Sequence, residues 1–102
     1  MKKLVSVITM GVLLGPSGAA LAAGDVAAGK VKATTVCAGC HGADGISNNP
    51  MWPNLKGQKE GYLIKQLKAF RDGTRTDPMM SPMAKPLTDA DIDNVAAYYS
   101  SL

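Results

Sequence analysis

Cysteine and histidine are nearly missing from this sequence: 102 residues hold one histidine and two cysteines. A structural zinc site takes about four Cys or His ligands, so a zinc fold is disfavoured from the start. Aromatic residues are scarce too, with one Trp, three Tyr and one Phe to fill a core. There is no run of Lys and Arg and no basic stripe, so the electrostatic footprint of a nucleic-acid binder is absent. Alternating β-branched segments are also lacking, which argues against strands. No apolar run reaches the roughly 20 residues that a helix needs to span a bilayer.

The longest apolar stretch, Leu4 to Leu14, lies at the start. Lys2 and Lys3 precede it, Gly15-Pro16 breaks it, and Ala20-Leu21-Ala22 provides the small-x-small pattern of a signal-peptidase site. Residues 1–22 are therefore expected to be a cleaved signal peptide, and 23–102 to be the exported domain. An uncleaved N-terminal anchor is the alternative. Losing two lysines reduces the formal charge from +3 to +1, so no strong overall field steers partners.

What remains is one small domain, near the lower size limit for a self-sufficient core. Such chains rely on a disulfide, a metal or a large buried cofactor. Export favours disulfides. Cys37 and Cys40, however, would close a loop too short to contribute much entropy.

Three helices are expected. The first runs from about Asp25, a possible cap, to Cys40. The second, about Lys59 to Asp72, places Leu63, Ile64, Leu67 and Phe70 at helical period and stops at Gly73. The third starts after Thr88, a good N-cap. Asp89, Asp91 and Asp93 sit near its positive end, and Ile92, Val95, Ala96 and Tyr99 line one face. Two long loops join them. One is rich in Gly, Asn and Pro; the other holds Pro78, Pro82 and Pro86 with Met79, Met80 and Met83. The class is all-α, and loops of this length imply something large that organises them.

Both cysteines and the histidine fall in Cys37-Ala38-Gly39-Cys40-His41. Four readings compete: zinc, a thiol–disulfide active site, a plain disulfide, and covalent haem attachment. Zinc lacks a fourth ligand. Dithiol redox sites usually accompany a βαβ pattern, which is missing here. The Cys-x-x-Cys-His spacing signals haem attachment. Thiols three positions apart on a helical turn can reach two vinyl groups on one porphyrin edge, and the next residue then lies under the ring. A buried haem would also supply the bulk that the core lacks.

The chain resembles the class I c-type cytochromes, of the small periplasmic kind whose domain also occurs in tandem di-haem relatives. The resemblance covers "GDVAAGKVKATTVCAGCHGADG", "MWPNLKGQKEGYLIKQLKAFRDGTR" and "MMSPMAKPLTDADIDNVAAYYSSL". It implies the cytochrome c fold, short helices and long loops wrapped around one covalent haem c, with thioethers at Cys37 and Cys40 and iron ligated by His41 and a methionine. The family pattern puts that methionine eight residues before the capping Thr88, at Met80, with Met83 and then Met79 as alternatives. An open sixth site is the competing expectation. Gly29 and Tyr98 would mark the crossing of the first and last helices. The carbonyl of Pro50 or a neighbour, Pro53 being the rival, would accept the second imidazole N–H. Trp52, Tyr62 and Arg75 are candidates around the haem propionates, Arg71 is expected to be solvated, and Asp44 is a turn residue. Lys30, Lys32, Lys56, Lys59 and Lys85 could form a docking ring.

The function implied is a periplasmic one-electron carrier, not an enzyme, that docks transiently with redox proteins. It would be a monomer or weak dimer without stable membrane insertion or nucleic-acid binding. The alternatives are a haem c subunit of a larger periplasmic oxidoreductase such as a sulfur-compound dehydrogenase, a ligand-binding or peroxidatic haem protein, and a haem-free dithiol protein.

Overall fold

Asp25 begins the first helix as a cap: its side chain accepts the Ala28 N–H at 3.1 Å, and its own N–H donates to Asn94 Oδ1 at 2.7 Å. The computed structural model describes residues 24–102, so the expected signal peptide lies outside the described residues. Helix α1 spans Val26–Lys32 and runs on without a break through a π-helical turn, Ala33–Cys37, into α2, Ala38–His41. Helix α3 is Glu60–Asp72, α4 is Met80–Ala84 and α5 is Asp89–Ser100. No strand occurs among the described residues, in agreement with the all-α expectation.

Each of the expected helices ends for a local reason. Gly73 takes a left-handed conformation (φ +92°) and donates to the Ala69 carbonyl, closing α3. Thr88 and Asp91 form a reciprocal capping box at the start of α5.

The core is where α3, α5 and the π turn meet. Leu63, Leu67 and Phe70 pack with Ile92, Val95, Ala96 and Tyr99, joined by Ala33, Ala84 and Leu87. Burying a side chain of the Leu, Ile or Phe kind contributes about 1.5–3 kcal/mol. The first and last helices cross at Gly29, as expected. A Cβ on that residue would overlap the Asn94 carbonyl and press on the Tyr98 Cβ. Tyr98 Oη reaches further and donates to the Ala43 carbonyl at 2.8 Å, tying α5 to the chain just beyond His41.

Two features depart from the sequence reading. The first helix is not uniformly α. The Ala38 N–H bonds Ala33 O, five residues back, the wide spacing of a π turn. Two consecutive threonines brace it with side-chain bonds to the preceding turn: Thr34 Oγ1 donates to Lys30 O at 2.8 Å, and Thr35 Oγ1 to Val31 O at 2.7 Å. The Pro-rich segment, read as loop, contains α4. Pro82 is its third residue, where a helix needs no N–H from it, so the proline does no harm.

Arg71 is also not merely solvated. It pairs with Asp72 and Asp89 and donates to the Leu87 carbonyl, clamping the end of α3 to the start of α5.

Candidate functional site

The π turn delivers Cys37 at its end, and α2 carries Cys40 and His41. Cys37 and Cys40 are both free and half-buried. Burial pushes the Cys37 thiol up to about 11, with Lys32 partly opposing. A thiol held protonated is a poor redox nucleophile at neutral pH. This weighs against the dithiol alternative.

His41 is buried, with about 6 % of its surface exposed. Its Nδ1 lies 2.8 Å from the Pro53 carbonyl oxygen. A carbonyl can only accept, so Nδ1 carries a proton and Nε2 is the ring nitrogen left to face a metal. The sequence reading preferred Pro50, and the structure selects Pro53 instead. The reason is the path of the chain. Gly42 (φ +87°) ends α2, and a Cβ there would overlap the Ile46 carbonyl. Gly45 (φ +81°) then presents its carbonyl to the N–H groups of Leu55 (2.7 Å) and Lys56 (3.0 Å). This doubled-back loop brings Pro53 over the imidazole. Neither glycine was singled out from sequence, although a Gly-rich stretch directly after His41 is the signal that points to them.

The three methionines separate by burial. Met80 is half-buried and packs against the core, whereas Met79 and Met83 are 50 % and 43 % exposed. His41 and Met80 lie near each other. A single carboxylate anchors the backbone here: Asp77 Oδ2 accepts the N–H groups of both Met79 and Met80 at 2.8 Å. These bonds, that of Met80 first, hold the Asp77 carboxyl below the usual carboxylate range. Ser81 Oγ in turn accepts the Asp77 N–H at 2.9 Å. Neither Asp77 nor Ser81 was recognised from sequence. An Asp-Pro step before a short helix was the available clue.

The other candidates are placed as follows. Trp52 is half-buried, its backbone N–H donates to the Asn49 carbonyl, and it lines an open polar depression with Ser47, Asn49, Pro50 and Asn54. Tyr62 is about half exposed on α3. The Arg75 guanidinium lies 4.4 Å over the Phe70 ring and donates to Gln66 Oε1. Asp44 caps a turn by accepting the Ile46 N–H. Lys32 pairs with Asp91 at 3.7 Å, while Lys30, Lys56, Lys59 and Lys85 are exposed.

Residues 26–102 match the family described as Cytochrome c. The chain belongs to the cytochrome c family. Among curated relatives it is 48% identical over 100 residues to cytochrome c4 of Pseudomonas aeruginosa, covering 98% of this chain and 48% of that one. It is 51% identical over 82 residues to cytochrome c-554(548) of Halomonas halodenitrificans, covering 78% of this chain and 98% of the relative. The crystal structure of reduced recombinant cytochrome c4 from Pseudomonas stutzeri superposes with a TM-score of 0.72 at 42% identity, over 78% of this chain and 46% of that one. The chain thus spans about half the length of the cytochrome c4 relatives it matches.

The residues of this cytochrome fit its cofactor. Two free thiols stand one helical turn apart, and the adjacent buried imidazole has its Nδ1 already occupied. Beside Cys37, the buried Tyr99 hydroxyl has no oxygen or nitrogen partner among the described residues, only the thiol next to it. Thiols, imidazole and an incompletely satisfied pocket wall are the donor set for one covalently bound haem c at Cys37, Cys40 and His41. Among the described residues no helix is long and apolar enough to cross a membrane.

Proposed function

We propose that this cytochrome is a periplasmic one-electron carrier, with Cys37 and Cys40 as the thioether residues and His41 and Met80 as the two axial ligands. The observation that carries the reading is the pairing of a buried His41, fixed as the Nδ1–H tautomer by Pro53, with the half-buried Met80 near it. When bound, haem c supplies an iron that alternates between ferric and ferrous states. Ligation by a methionine thioether together with a histidine would favour its ferrous form. Pro53 fixes the ring plane and raises the basicity of the free imidazole nitrogen. A ligand loop held by backbone hydrogen bonds keeps its thioether in place in both oxidation states. Trp52, Tyr62 and Arg75 are the side chains assigned to the propionate side. The four exposed lysines offer cations to acidic partner surfaces. Residues 1–22 export the chain and are removed.

The test is an absorption spectrum of the periplasmic fraction, with variants. A reduced α-band and a thioether-to-iron charge-transfer band in the oxidised protein are expected. Met80→Ala should abolish the charge-transfer band and Met83→Ala should retain it. Absence of the α-band would overturn the haem reading, and carbon monoxide binding by the parent at neutral pH would favour an open site. Mass spectrometry of the exported protein should give a chain beginning at Ala23. Size-exclusion of a native extract separates a free carrier from an oxidoreductase subunit.

A further inference from the structure

Met80 sits at the start of a helix of only five residues, Met80–Ala84. A helix that short has no stability of its own, because nucleation is unfavourable and few bonds repay it. The three prolines stiffen their own φ angles, but none of them sets the backbone of Met80. Something else must hold the residue.

The bonds that do so converge on one side chain. Asp77 Oδ2 accepts two consecutive amides, Met79 and Met80, both at 2.8 Å. Asp77 is itself held from both ends of its peptide: its N–H donates to Ser81 Oγ at 2.9 Å, and its carbonyl accepts the Ser81 N–H at 3.0 Å. The result is a closed knot of four hydrogen bonds around Met80. With Pro82 next in line and lacking an N–H, every amide from Met79 to Ser81 is satisfied by Asp77 alone.

We propose that Asp77 is the positioning residue of the methionine ligand, with its Oδ2 acting as a geometric acceptor that fixes the Met80 backbone and so the reach of the thioether. This rests on Met80 being the axial ligand. The role needs the acceptor oxygen, and an amide oxygen can occupy the same place. Ser81 acts one step further out by orienting Asp77.

The experiment uses the oxidised haem-loaded protein and the variants Asp77→Ala, Asp77→Asn, Ser81→Ala and Met80→Ala. It reads the charge-transfer band, the affinity for exogenous imidazole competing for the sixth position, and the thermal midpoint. Loss of two charge-assisted bonds predicts that Asp77→Ala binds imidazole about tenfold or more tightly than the parent, with a weakened band. Asp77→Asn, which retains the acceptor, should stay within about threefold of the parent, and Ser81→Ala should fall between the two. Parent-like imidazole affinity in Asp77→Ala, even with a lowered thermal midpoint, overturns the inference while Met80→Ala still loses its band. Asp77→Asn matching Asp77→Ala overturns the acceptor role. A band that survives Met80→Ala overturns the ligand assignment, and this inference with it.

Discussion

The imidazole Nδ1 of His41 donates to the Pro53 carbonyl oxygen at 2.8 Å, across a loop whose course is set by two left-handed glycines. The bond decides the tautomer of the only histidine and leaves Nε2 as the nitrogen able to bind a metal. It is a backbone interaction, so no side-chain replacement removes it cleanly. What can be changed is the stiffness of the loop that presents it.

Pro53→Ala should therefore loosen the imidazole contact, whereas Pro50→Ala should not. The unfolded chain gains freedom in both variants, which lowers stability by about 0.4–1 kcal/mol. Only Pro53→Ala should also speed solvent exchange of the His41 Nδ1 proton, read by proton–nitrogen NMR. Equal exchange in the two variants would count against a special role for Pro53.

Gly29→Ala tests the helix crossing. Alanine inside a helix gains up to about 1 kcal/mol over glycine. Here its Cβ would overlap the Asn94 backbone carbonyl, which cannot swing aside as a flexible side chain would. Overpacking costs about 1–3 kcal/mol and should win. Chemical denaturation should show a net loss of roughly 1 kcal/mol or more. A neutral result would mean that the crossing relaxes freely.

Thr88→Ala removes one half of the capping box, since Thr88 Oγ1 accepts the Asp91 N–H at 3.0 Å. A loss of about 1 kcal/mol is expected by denaturant titration. Thr88→Ser should recover most of it.

Acid should destabilise the fold through carboxylates around this cap. The Thr88 N–H first, then the Thr88 hydroxyl and Lys32, hold Asp91 below the usual carboxylate range, and Arg71 does the same to Asp89. A carboxylate with a lowered folded pKa binds fewer protons in the folded state. Its stabilisation is full above the unfolded value, near about 3.9, and disappears as pH falls through the folded one. The thermal midpoint should hold between about pH 7 and 5 and drop below about 4. Asp89→Asn combined with Asp91→Asn should flatten that drop. An unchanged acid profile in the double variant would assign the loss to other groups.

Much of the scaffold could be read from local pattern. Asp25, Gly73 and Thr88 bound their helices where capping chemistry puts them, and the apolar faces of α3 and α5 form the core. The π turn could not be read in this way. Its sign is a pair of threonines whose hydroxyls bond the carbonyls four residues back, and threonines serve many other purposes. Helix α4 was hidden because proline argues against helix on average, yet is harmless in a first turn. Arg71 looked like an ordinary surface cation until the fold brought Asp89 and the Leu87 carbonyl to it.

The amino-acid sequence by itself determined the chemistry that the chain can attach. Two thiols and an imidazole within one helical turn depend only on helical geometry, and no tertiary contact is needed to bring them together. Tertiary structure decided the second half of the site. It chose Pro53 over Pro50, packed Met80 against the core while Met79 and Met83 stayed exposed, and gave Asp77 two amides to hold. Those choices turn on the path of two loops, where glycine torsions and long-range hydrogen bonds move a residue by more than its spacing from His41 can reveal.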